Sequence, residues 1–207
     1  MLMRKFKHRD MKSVVNLLLE EWDLGRKVSN AQGDICGWIY LFDILSYADE
    51  MWVAVENGEI IGVMGFESYP RPKRKMRKKF YHTLFEKSKK SPDIPNPNAL
   101  ETYYTAYDYC PDELKGQFDG ELVIAIVKKS ERGRHIGRAV FEHICERARL
   151  RGVTRMRIDT DDACNREFYE RRGCKCVYET KIKGGENFNA EHAFVYEALL
   201  DETGDKN

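Results

Sequence analysis

Glu121-Leu-Val-Ile-Ala-Ile-Val127 runs into Lys128-Lys-Ser-Glu-Arg132-Gly133-Arg134-His135-Ile136-Gly137-Arg138, and from there into Ala139-Val-Phe-Glu-His-Ile-Cys-Glu-Arg-Ala148. The first stretch follows Gly120 and is almost continuously apolar, the pattern of a central strand covered on both faces. The last repeats Val140, Phe141, Ile144, Cys145 and Ala148 at helical intervals, so a helix is expected from about Gly137 to Arg151, closed by Gly152. A strand that bends into a helix N-terminus aims several unpaired N–H groups, and the positive end of the helix dipole, at one point. That is a site for phosphate or pyrophosphate. Gly133 and Gly137 allow close backbone approach that a Cβ would obstruct.

Working towards the N-terminus, residues 101–119 carry Tyr103, Tyr104, Tyr107 and Tyr109 among Glu101, Asp108, Asp112 and Glu113. Aromatic faces beside carboxylates suit a cationic amine, so Tyr104, Tyr107 and Asp108 are candidate acceptor contacts. Pro92, Pro95 and Pro97 mark an irregular connection. Residues 71–90 hold ten basic side chains and one acid, a local charge of +9 that leaves −8 for the rest of a chain whose total is +1. Met76, Phe80 and Leu84 predict an apolar helical stripe there, joined by Tyr81 and Phe85, with the charges on a solvated face. Before it, Met51–Val55 and Glu59–Tyr69 flank Glu56-Asn57-Gly58, the signature of a type I′ hairpin. Residues 2–7 read as a first strand. Asp10 stands where an N-cap belongs before the amphipathic run Met11, Val14, Val15, Leu18 and Trp22, and 35–47 is a second, aromatic-rich helical segment.

Towards the C-terminus, Thr154, Met156 and Ile158 alternate as a strand, and Ala163–Arg172 reads as a short helix stopped by Gly173. Cys174–Ile182 and His192–Leu200 predict two closing strands. The fold class is α+β: a mixed, mostly antiparallel sheet with helices on both faces and an insertion at about 71–119 before the central strand. Residues 1–200 are expected to form a single domain, with 201–207 a polar tail.

Composition narrows the function classes. Hydrophobic residues make up 42% and charged residues 33%, ordinary for a globular protein. No stretch approaches the roughly 18 apolar residues of a membrane span, and the N-terminus lacks a signal peptide's apolar core, so a cytoplasmic location with no membrane partner is expected. Cys36, Cys110, Cys145, Cys164, Cys174 and Cys176 lack metal-ligand or disulfide spacing and read as ordinary thiols, and no metal is expected. Cys174 and Cys176 are expected to share a strand face. The basic segment comes without a recognised nucleic-acid-reading module, so nucleic acid is not the expected partner.

Arg132-Gly133-Arg134-His135-Ile136-Gly137 resembles the acetyl-CoA signature of the GNAT superfamily, the GCN5-related N-acetyltransferases: Arg or Gln, two residues, Gly, one residue, Gly or Ala. His135 stands at the family's middle glycine. Asn165-Arg-Glu-Phe168-Tyr169-Glu-Arg-Arg-Gly173-Cys174 resembles the family's Asn…Phe-Tyr-Glu…Gly-Phe ending, with a shorter interval and Cys174 for Phe. The resemblance covers about residues 120–180 and implies transfer of acetyl from acetyl-CoA, a co-substrate, to a primary amine by direct attack in a ternary complex. It implies that Arg132, Gly133, Arg134, His135, Ile136, Gly137 and Arg138 hold the pyrophosphate, that Ile126 and Val127 hold the thioester and pantetheine arm, and that Asn165 reaches the cofactor from the helical face of Tyr169. It also implies Tyr169 as the acid that protonates the thiolate and Glu121 as the general base. Asp159, at a strand end, is read as capping or loop geometry and stays outside the catalytic set.

Two other classes compete. The same turn could serve a nucleotide- or dinucleotide-binding enzyme, with Asp159 about 20 residues after the glycines as a ribose ligand, although Gly-x-Gly-x-x-Gly is absent and no repeated βαβ units appear. A non-catalytic acyl-CoA-binding module is the third reading. A small-molecule amine is expected as acceptor ahead of a protein, and dimers are common among proteins resembling this one.

Overall fold

The computed structural model describes residues 1–22, 33–70, 76–92, 111–182 and 190–200. Seven strands form one sheet: β1 (Leu2–Lys5), β2 (Glu50–Glu56), β3 (Glu59–Ser68), β4 (Gly120–Val127), β5 (Arg155–Asp161), β6 (Lys175–Lys181) and β7 (His192–Leu199), in the order β1-β2-β3-β4-β5-β7-β6. Every pairing is antiparallel except that of β4 with β5. Five helices accompany the described strands: α1 (Met11–Trp22), α2 (Gly33–Tyr47), α3 (Met76–Ser88), α4 (Ile136–Arg149) and the single turn α5 (Glu167–Glu170).

The sheet is covered on both faces. Val14 and Leu18 of α1 and Ile39 and Leu41 of α2 pack with Val53, Val63 and Val123 on one side. On the other, Val140, Phe141 and Ile144 of α4 pack with Phe66, Leu122, Met156, Ile158 and Tyr196. Burial on both faces explains why β4 reads as an unbroken apolar run rather than an alternating one. The β2–β3 turn has φ of 51° at Asn57 and 82° at Gly58, the positive values that Asn-Gly predicts.

Local expectations are corrected in four places. Asp10 does not cap α1: it lies in a preceding 3-10 turn (His8–Asp10), and its buried carboxylate accepts the Lys7 N–H at 2.7 Å and a fork from Arg4 at 2.6 and 2.9 Å. On α3 the buried residues are Tyr81 and Phe85, while Met76 and Phe80 are exposed, because the helix leans on α2 and only that side is covered. Lys78 anchors it, donating to Tyr47 O at 2.6 Å and to Asp49 Oδ1 at 2.5 Å. The helix read over 163–172 shrinks to α5, with turns on either side. Cys174 precedes β6 and is buried whereas Cys176 is exposed, so the two thiols do not share a face.

Candidate active site

The site begins where the sheet forks. β4 and β5 run parallel and pair only through Gly120↔Met156, Glu121↔Arg157 and Leu122↔Ile158. Beyond Leu122 they diverge, while β4 stays paired to β3 up to Val127. The β3–β4 register slips between Gly65↔Ile124 and Phe66↔Leu122, leaving Val123 as a bulge at the fork. Strand N–H and C=O groups point alternately to the two neighbours, so half of those between Val123 and Val127 face the gap.

At the far end of the gap the chain enters α4. Gly133 and His135 take φ of 82° and 61°. A Cβ on Gly133 would meet nothing within 4 Å, so this glycine is required by conformation rather than by space. His135 is left-handed at φ 61° and ψ 9°, a region glycine enters freely, which explains how the signature tolerates its middle substitution. Gly137 serves a third purpose: a Cβ there would come within 3.1 Å of Phe168 Cε2. The first intrahelical bond donates from Ala139 N to His135 O at 3.1 Å. Among the described residues the N–H groups of Gly133 to Arg138 have no acceptor, and they gather where the helix dipole is positive.

The turn's arginine side chains are already engaged. Arg132 pairs with Glu21 Oε2 at 2.8 Å, Arg134 with Glu56 at 2.8 Å and also with Glu131, and Arg138 with Glu142 at 2.7 Å. The Glu21 side chain is only 3% exposed and its Oε1 also accepts the Lys129 N–H at 2.6 Å, so the end of α1 ties down the turn's first residues. No local pattern marks this contact, which joins positions more than a hundred residues apart. An anion at the turn would therefore meet unpaired main-chain donors rather than unpaired guanidinium groups.

One cleft of about 1620 Å³ brings together Glu121, Ile126, Val127, Arg132, Gly133, His135, Ile136, Gly137, Arg138, Asn165 and Tyr169. Arg134 is not on its wall. Asn165 precedes α5 instead of sharing its face with Tyr169; its carbonyl accepts the Phe168 N–H at 3.2 Å. Tyr169 is wedged among Phe141, Phe168 and Tyr196, with ring centroids 6.0, 5.2 and 6.0 Å away. Burial, and then the Cys164 and Cys174 thiols, raise its pKa, so it stays protonated at neutral pH. Its hydroxyl has no hydrogen-bond partner among the described residues and is not sealed from solvent. Burial pushes the thiol of Cys145 up to about 12 and that of Cys174 up to about 11, so these two cysteines of the cleft are poor nucleophiles at neutral pH.

On the α1/α2 side of the fork the chemistry changes. Tyr69 donates to Glu121 Oε2 at 2.5 Å. Asp159 lies inside β5, not at a cap, so the capping assignment is corrected: Arg157 holds it with Nε–Oδ1 at 2.7 Å and Nη2–Oδ2 at 2.5 Å. Trp22, Tyr40, Asp43 and Tyr47 complete this part of the wall. These four were missed. The aromatic irregularity of 35–47 was the only trace of Tyr40, Asp43 and Tyr47, since α2 is apolar towards the core while these three reach the cleft; Trp22 was read only as part of the apolar face of α1. Tyr104, Tyr107 and Asp108 lie outside the described residues. Among the described residues no cluster of ligands suits a metal ion, and no helix is long and apolar enough to cross a membrane.

A mixed sheet parted between two parallel strands, with a phosphate-type turn at the end of the gap, has counterparts among known proteins. Residues 95–174 match the model of the "Acetyltransferase (GNAT) family". Among solved structures, an aminoglycoside 6'-N-acetyltransferase complexed with coenzyme A has a TM-score of 0.57 at 14% identity, covering 99% of this chain and 100% of that one. The aminoglycoside 6'-N-acetyltransferase from Enterococcus faecium has a TM-score of 0.55 at 14% identity over 99% and 100% of the two chains. The ribosomal-protein-alanine N-acetyltransferase from Brucella melitensis has 0.55 at 13% over 96% and 99%. No curated protein matches the chain in sequence. The resemblance to the GNAT superfamily thus holds in sequence over residues 95–174 and in fold along nearly the whole chain.

Proposed function

We propose that the protein is an acetyl-CoA-dependent N-acetyltransferase that acts on a small primary amine by direct attack in a ternary complex. The observation that carries this reading is the fork: unpaired strand edge, unpaired helix-terminal N–H groups and a protonated tyrosine face one cleft. Main-chain donors of Gly133 to Arg138 would hold the pyrophosphate, and the free edge at Ile126 and Val127 would align the pantetheine amides as a neighbouring strand would. Acetyl-CoA supplies an activated acyl carbon. The acceptor nitrogen bonds to that carbon, the C–S bond breaks with its electron pair on sulfur, and Tyr169 gives its hydroxyl proton to the sulfur. The proton shed by the new amide nitrogen restores Tyr169 through water. Carboxylates and aromatic rings on the opposite wall suit a cationic amine, and the neighbours named for aminoglycosides act on amines of that kind.

The test is release of free thiol from acetyl-CoA across an amine panel, with coenzyme A affinity measured in parallel. Tyr169→Phe and Glu121→Gln are expected to lower turnover by about 100-fold or more while leaving affinity within a few-fold. Full turnover in both variants overturns these catalytic roles, and stabilisation by NAD but not by coenzyme A overturns the class.

A further inference from the structure

We propose that Asp159 is the proton acceptor for the amine, with Arg157 as its positioning residue and Glu121 as the carboxylate that binds the ammonium beside it. This rests on the acetyltransferase reading and changes which residue does the deprotonation. β4 and β5 part after Leu122↔Ile158, so Asp159 is the first residue of β5 beyond the fork, with the bulged Val123 in the corresponding place on β4. Leu122 and Ile158 pack on the α4 side, so Glu121 and Asp159, one step away on their strands, both face the α1/α2 side of the cleft. The two carboxylates have different restraints. Glu121 accepts a hydrogen bond from the Tyr69 hydroxyl, a neutral donor. Asp159 is gripped on both oxygens by Arg157, which fixes its orientation, and its side chain is still 25% exposed along the cleft.

The titratable groups around Asp159 come from α2, which brings Asp43, Tyr40 and Tyr47 to the same wall, and from the neighbouring strands. β4 presents Glu121, β5 itself presents Arg157, and β7 places Val195 opposite it, with Glu197 committed to Arg155. Burial, followed by the negative charge of Glu121, raises the Asp159 carboxyl above the ordinary aspartate range, against the pull of Arg157. A carboxylate raised in this way is a stronger base than an ordinary one. The step is a single transfer: an N–H bond of the ammonium breaks, an O–H bond forms on Asp159, and the nitrogen keeps its lone pair for the acyl carbon. Asp159 then returns its proton to water through the open cleft.

Two measurements on the full chain decide the matter. Carboxyl carbon NMR, with the Asp159 signal identified by its loss in Asp159→Asn, is expected to show titration near neutrality that moves down by a unit or more in Glu121→Gln, since a neighbouring negative charge is removed. Titration in the ordinary aspartate range, or no movement in Glu121→Gln, overturns the proposal. In thiol release from acetyl-CoA, Asp159→Asn is expected to slow acetylation of 1,4-diaminobutane by about 100-fold or more. Acetylation of hydroxylamine, already neutral in mildly alkaline assay buffer, should change by less than about tenfold. An equal loss with both amines overturns the base role and leaves the transferase intact. If the wild type releases thiol with neither, the transferase reading fails and takes this proposal with it.

Discussion

His135 shows how one residue carries a conformational cost for a whole motif. A left-handed non-glycine residue costs roughly 1–2 kcal/mol, and the cost rises when the side chain branches at Cβ. His135→Gly should therefore keep or slightly raise stability and coenzyme A affinity, because the turn already has a glycine-like shape. His135→Val should lower the unfolding free energy by about 2 kcal/mol, read by urea denaturation, and weaken coenzyme A in parallel. A valine variant as stable as the wild type would show that the turn does not need φ 61°. The motif itself was plain from spacing, and so was the bend from strand to helix. What each glycine does was not plain: Gly133 answers a dihedral angle and Gly137 the approach of Phe168, and only packed coordinates separate the two.

Among the elements, α4 and α5 meet through a single cluster. Phe168 sits between Gly137 and Tyr169, with Phe141 in edge contact at 5.7 Å and the Arg172 guanidinium carbon 3.6 Å above its ring. Gly137→Ala would press a methyl group towards Phe168 and, through it, Tyr169. We expect tenfold or greater loss of turnover with a smaller loss of coenzyme A affinity, measured by thiol release and calorimetry; Phe168→Leu, which yields at the ring, should restore part of it in the double variant. Additive losses would show that the two positions are independent. Strands and helices were legible here because Asn57-Gly58, Gly152 and the β4 run impose local rules. The cleft wall on the α1/α2 side was not, because Trp22, Tyr40, Asp43 and Asp159 share no spacing and meet only in the folded chain. Asp159 was visible as a strand-end acid, but that the strand there has lost its neighbour is a fact of tertiary structure.

At the scale of the whole molecule, one buried acid fastens the N-terminal strands to α4. Glu50 accepts from Arg147 at 3.0 and 3.1 Å, from Arg151 at 2.8 and 3.1 Å and from the Trp52 indole at 3.0 Å, while its side chain is only 3% exposed. Burial pushes its pKa up, but the hydrogen bonds from Arg147, Trp52 and Arg151 outweigh that and hold it at about 2. A depressed folded-state value means the stabilisation is complete above the unfolded carboxyl range, near pH 4.5, and is lost as pH falls towards 2. Thermal unfolding of the wild type between those limits should therefore steepen with acid, by up to about 3 kcal/mol from this group. Glu50→Gln should flatten that part of the profile and lower stability at neutral pH, since Arg147 loses its charged partner. An unchanged acid limb in the variant would assign it to other carboxylates.

The fork has one more consequence. Only three residue pairs join β1–β4 to β5, β7 and β6 directly. The sheet behaves less like a plate than like two leaves on a short spine, and a polyamide arm laid along the free margin of β4 would act as an extra rung between them. On that arrangement, capture of the arm and the stiffness of the sheet would be one quantity.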